Sequence, residues 1–260
     1  MTSEDLAALG GAVQLLEHPS LAARITSMVG KPIELIETVL PISASQVISK
    51  AVGAGLETAL KIALRSMQRI PQPGSDMLHK ALITASGAAG GAFGLATLPV
   101  ELPVSTIIIL RSIADIARSE GEDLSHPEAS LACLQVFALG GRSGSDDASE
   151  SGYFALRALL AKGVSEAARH IAQHGTIKEG SPILVKFVSQ IAARFGVVVT
   201  QKAAAQALPV IGALGGAAVN YAFLEHFQDI ARAHFTIRRL ERVYGQDVVR
   251  TEFDRLAHSS

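Results

Sequence analysis

The side chains best suited to chemistry are one isolated acid and two charged rows. Glu101 is the only charged residue between positions 82 and 110, an apolar and glycine-rich stretch, and it stands between Pro99 and Pro103. A carboxylate in such surroundings must be ion-paired, hydrogen-bonded, protonated or at a wet break, because uncompensated burial of charge is costly. Arg111, Asp115 and Arg118 follow at i, i+4 and i+7, and Glu225, Asp229 and Arg232 repeat that spacing further on. On helices each row lies along one face. Glu101 with Asp115 or Asp229 would supply the acid and base of a hydrolase. No nucleophile motif accompanies them, so a salt-bridge network between the two rows is the stronger expectation.

Other reactive groups suggest less. Cys133 has apolar neighbours and no nearby cation to make a thiolate, and as the single cysteine it cannot form an intrachain disulfide. His170 and His174 have a spacing that holds zinc, but no third ligand accompanies them, so no metal is expected. Neither G-x-G-x-x-G nor G-x-x-x-x-G-K-[ST] occurs, so no nucleotide cradle and no cofactor are expected. His226 and His234 are candidates for a proton shuttle or a metal ligand, but their helical angles do not match well.

The elements that must hold these groups are helices. Apolar residues at helical spacing and capping signals predict helices from Ser3, from about 43 to 70, 77 to 97, 126 to 139, 152 to 173 and from Pro182 to about 207. The capping box Ser125-His126-Pro127-Glu128 places an N-cap at Ser125. Pro99 and Pro103 predict a helix break around Glu101, with a new helix starting at Pro103. Gly87, Gly90, Gly91 and Gly94, then Gly212, Gly215 and Gly216, predict close helix packing. Small polar and acidic residues predict a flexible loop near 140–152. Asp-Ile-Ala-Arg occurs at 115–118 and 229–232, each time after a glycine-rich apolar segment, which suggests an imperfect internal repeat.

Composition narrows the environment. Hydrophobic residues make up 48 %, aromatics only 5 %, and tryptophan is absent, so the interior must be built from Ala, Leu, Ile and Val. A formal net charge of −1 disfavours nucleic acid as a partner. The mean hydropathy of +0.32 points either to fully buried helices or to lipid. Residues 203–224 carry no charge, enough length for a membrane span, but Gln206, Pro209 and Asn220 favour a buried helix or hairpin. Glu4 and Asp5 stand where a secretion signal would be basic, so the expected location is cytoplasmic, with peripheral membrane contact.

Leu-Pro-Val-Glu-Leu-Pro-Val-Ser (98–105), the run 110–123 ending Ser-Glu-Gly-Glu-Asp, Ala-Cys-Leu-Gln-Val-Phe-Ala-Leu-Gly-Gly (132–141) and His-Phe-Gln-Asp-Ile-Ala-Arg (226–232) with its continuation to Glu241 resemble the bacterial EcsC protein family. The similarity extends over nearly the whole chain, from His-Pro-Ser-Leu-Ala-Ala-Arg (18–24) and Gly-Lys-Pro-Ile-Glu (30–34) onward. It implies a mostly helical bacterial protein linked to membranes or transport, since the family is named for a protein encoded beside an ABC exporter. It carries no catalytic motif. The expectation is one all-α domain over 1–260, with stretches 80–118 and 200–243 as its glycine-packed centre. Its expected function is non-enzymatic binding of lipid, a membrane surface or a membrane-protein partner; the alternatives are a hydrolase and a structural oligomer.

Overall fold

The structure, a computed structural model, describes residues 1–17, 21, 24–25, 42–66, 97–141, 152–174, 181–207 and 212–258. Among these residues the regular structure is helical throughout, in the order α1 (Ser3–Glu17), α2 (Ile42–Ser66), α3 (Leu98–Ser119), α4 (Pro127–Leu139), α5 (Gly152–His174), α6 (Pro182–Gln206), α7 (Gly212–Tyr244) and α8 (Gln246–Ala257). The fold is all-α, and the helices share a single core. The expected helix at 77–97 and its four glycines lie outside the described residues.

The most enclosed helix is α4, which the sequence does not mark as special. Every residue from Ala129 to Gly141 is buried, and α2, α3, α5, α6 and α7 all pack against it. A helix that is apolar on all sides has no face to offer water and is driven to the middle of a bundle. Phe137 meets Phe195 of α6 and Phe227 of α7 at ring-centroid distances of 4.9 and 5.2 Å, within the range of favourable aromatic pairing. The stretches expected to form the centre contribute through α3 and α7, which flank α4.

Two local expectations are corrected. The helix does not break at Glu101: α3 begins at Leu98 and runs through Pro103. Pro103 removes one early N–H, but Leu98, Leu102, Thr106 and Ile109 of the same segment are buried, and this packing outweighs the lost bond. His126, rather than Ser125, is the N-cap of α4, and it makes no side-chain capping bond; the Ser125 N–H instead donates to Asp123 Oδ1. Of the loop expected near 140–152, residues 142–151 lie outside the described residues, and the two glycines before them, Gly140 and Gly141, are buried. A Cβ on Gly140 would lie 2.7 Å from Phe227 Cε1, and one on Gly141 would lie 2.2 Å from the Arg194 carbonyl oxygen. Space, not backbone angle, requires glycine there.

The C-terminal half of α7 fixes α3 in place. Arg238 donates to both oxygens of Glu122 at 2.8 and 3.0 Å, Arg242 joins it on Glu122, and Arg239 bridges Glu120 and Asp5. The turn carrying these acids depends on Gly121, whose φ of 81° suits glycine. Arg157 of α5 grips Glu241 bidentately at 2.7 and 2.6 Å. The clamp sets the angle between α3 and α7 and so helps to place Glu101 against α7.

Candidate functional site

Glu101 sits in the first turn of α3, 6 % exposed, facing α6 and α7. From α6 the Lys202 ammonium donates to Glu101 Oε1 at 2.7 Å; from α7 the Asn220 amide donates to the same oxygen at 2.7 Å; Ser105, one turn along α3, reaches it at 3.3 Å. Lys202 is the only ordinarily charged side chain among the described residues with no exposure at all, and its ammonium lies 4.6 Å from the Phe223 ring centre. Gln206, one turn beyond Lys202, is close enough to act on the carboxylate. Even so, Gln206 Nε2 and Glu101 Oε2 are buried without a hydrogen-bond partner among the described residues.

Burial works to raise the Glu101 pKa, but the charge and hydrogen bond of Lys202, with the amides of Asn220 and Gln206, outweigh it and hold the carboxyl below its ordinary range. Burial pulls the Lys202 pKa down, against the attraction of Glu101. The arrangement is a buried ion pair at a junction of three helices, with one carboxylate oxygen crowded and the other bare.

Most of the residues expected to form a polar centre lie elsewhere. Arg111 is exposed. Asp115 accepts from Arg118 at 2.8 Å, and Asp229 accepts from Arg232 at 2.9 Å, so the two copies of Asp-Ile-Ala-Arg make the same local pair. Glu225 and Asp229 also meet Arg24, and Tyr221 donates to Glu225. Asp115 is fourteen residues from Glu101 on one helix, about 21 Å along its axis, and Asp229 is about 13 Å along α7 from Asn220. Neither distance suits an acid/base pair acting on one bond. The helices that carry the rows meet beside them, where Gln228 donates to Ser112 at 2.6 Å.

Lys202, Asn220, Gln206 and Ser105 are absent from the expected set. One signal pointed to Lys202: it is the last charge before the charge-free run 203–224, just as Glu101 is the lone charge of its own stretch. Two isolated opposite charges in apolar sequence have few other partners. Two buried histidines of α7 are tied into the core: His226 Nε2 donates to the Gly140 carbonyl at 2.9 Å, and His234 Nδ1 meets the Tyr153 hydroxyl at 2.9 Å. Burial lowers both pKa values, that of His226 to about 4. Burial likewise pushes the Cys133 thiol up to about 12, leaving it unreactive.

These shifts predict an acid limb in two stages. His226 and His234 have folded pKa values below the unfolded value of 6.5, so the unfolded chain binds protons first and stability declines as pH falls below about 6.5. Glu101 and Glu122 are held below 4.5, so their contribution, complete above that value, is lost as pH falls through the depressed values. Urea midpoints measured from pH 8 to 3 check this; a midpoint independent of pH down to 3 contradicts it.

A second feature lies between α2 and α6. A groove of about 890 Å³ is lined by apolar side chains such as Ile48, Val52, Leu60 and Leu184 and also by Glu57, Lys61 and several serines and threonines. On α6, Ile183 is exposed, and so are Val185 and Val197, which line this groove. This helix is long and apolar enough to cross a membrane by length and composition, yet only 33 % of its most apolar window is buried. A helix buried as the core of a bundle would be covered on most sides, as α4 is.

Comparison with curated proteins and with solved structures finds no match. Residues 12–240, which span the Glu101 junction, the α2–α6 groove and nearly all of the Arg238–Glu122 clamp, match the EcsC protein family, so the chain belongs to that family.

Proposed function

We propose that this protein is a non-enzymatic, cytoplasmic lipid-binding protein that docks peripherally on a membrane through α6 and the adjoining groove. The observation that carries the reading is the mismatch on α6: among the described residues it is the one helix apolar enough for a bilayer, yet only 33 % of its apolar window is buried. An apolar medium would remove Ile183, Val185 and Val197 from water, and the groove sets apolar walls for an acyl chain beside the polar side chains of Glu57, Lys61 and Thr200. Val100 and Val104, exposed one turn apart at the start of α3, add to the apolar surface. A membrane-protein partner of the exporter type, suggested by the family resemblance, is the narrower form of this proposal.

The test is sedimentation with liposomes, together with lipid analysis of an organic extract of the purified protein. Binding is expected, and Val185→Asp with Val197→Asp should reduce it by at least about tenfold, since each substitution places a charge on the face meeting hydrocarbon. No co-purified lipid and no sedimentation would remove the reading.

A further inference from the structure

We infer that the face built by α2 and α6 recognises an anionic bilayer, with both helices keeping their places in the bundle. The inference rests on the membrane reading above and adds its lipid class and the side chains that select it. Charge complementarity carries it. α2 contains Lys50, Lys61 and Arg65 against Glu57 alone, and α6 contains Lys186, Arg194 and Lys202 with no acid at all. The whole chain is balanced, with 23 basic and 24 acidic residues, so the acidic excess lies on other elements. α1 is one of them: it contains Glu4, Asp5 and Glu17 with no base, and it packs on α7 and α8 rather than on α2 or α6. Lys202 is cancelled by Glu101 within the bundle, whereas Lys50 and Lys186 are exposed and make no ion pair among the described residues.

Position joins this charge to the apolar flank. Ala193 and Val197 follow Lys186 by seven and eleven residues, which places all three within about 20° of one line along α6, and all three are exposed. A cation on that line opposes contact with hydrocarbon unless an anion meets it at the boundary. Its long apolar stem lets the Lys186 ammonium stand among headgroups while Val197, about 17 Å further along the helix, faces acyl chains. The opposite side of α6 takes no part, since Phe187, Ile191, Phe195 and Val199 stay buried in the core. Each basic residue held near an anionic leaflet strengthens binding, and salt screens the effect. The acids of α1, on other elements, are repelled by the same surface, so the field also turns the α2–α6 face toward it.

The experiment is cosedimentation with vesicles of phosphatidylcholine alone and of phosphatidylcholine with phosphatidylglycerol, each at low and high salt, for wild type and two double variants. Lys50→Glu with Lys186→Glu reverses the charge of the face. Lys162→Glu with Arg255→Glu changes the net charge by the same amount at exposed sites on α5 and α8. Wild type is expected to bind the anionic vesicles at least about tenfold more tightly than the neutral ones, with high salt removing the difference. The first variant should lose at least about tenfold on anionic vesicles and the second less than about twofold. Equal wild-type affinity for the two vesicles, an anionic preference that salt leaves unchanged, or a loss in the second variant as large as in the first overturns the anionic face while leaving membrane binding standing. Binding to neither vesicle overturns both. The two wild-type comparisons need no substitution, so they decide the matter should a variant fail to fold.

Discussion

Glu101→Leu is expected to destabilise the protein by about 3–5 kcal/mol, because it leaves the fully buried Lys202 ammonium without a counter-charge. That is a large share of the roughly 5–15 kcal/mol by which domains are stable, so the urea midpoint should fall steeply. The double variant Glu101→Leu with Lys202→Met should recover most of the loss, and its midpoint should lie within about 1–2 kcal/mol of wild type or above it, since well-packed apolar residues often equal a buried ion pair. Asn220 would then lose an acceptor, which sets the limit on recovery. The cycle decides whether the pair is needed to build the fold: recovery in the double variant shows that apolar packing can replace the charges, and equal instability of the single and double variants shows that it cannot.

Gly141→Ala is the second large effect. Its new Cβ would stand 2.2 Å from the backbone oxygen of Arg194 and 2.6 Å from the carbonyl carbon, and neither atom can rotate away as a side chain could. α4 and α6 must separate, loosening the Phe137–Phe195 contact at the centre of the bundle. Overpacking typically costs about 1–3 kcal/mol, and a clash with backbone belongs at the top of that range. Gly140→Ala meets the ring of Phe227, which can shift, so a smaller loss is expected there. Thermal unfolding of the two variants side by side checks the order; equal and negligible losses would show that α4 and α6 do not approach as closely as described.

Helix content was legible from local sequence. The bounds of α4, α5 and α6 fall within about a residue of those expected from proline, cap and periodicity signals, because those signals act over a single turn. Glu101 was also legible as the residue out of place, since a lone acid among apolar neighbours demands compensation wherever it ends up. Its partners were not. Lys202 and Asn220 lie 101 and 119 residues away in the chain, and no local pattern states which helix faces which. The charged rows show the converse: their i, i+4, i+7 spacing is real, but a row on one helix says nothing about its partner, and Glu225 and Asp229 meet Arg24.

The sequence by itself determined that this chain is helical, that it belongs with the EcsC family in its long phrases, and that Glu101 must be compensated. These follow from forces within a helical turn or from the cost of a single buried charge. Only the tertiary structure decided that α4 is the enclosed helix, that Lys202 is the compensating charge and that α6 keeps an apolar flank uncovered. Those outcomes depend on which apolar faces meet, and burial is non-directional: it rewards any covering of apolar surface, so the choice among coverings emerges only when all the helices pack together.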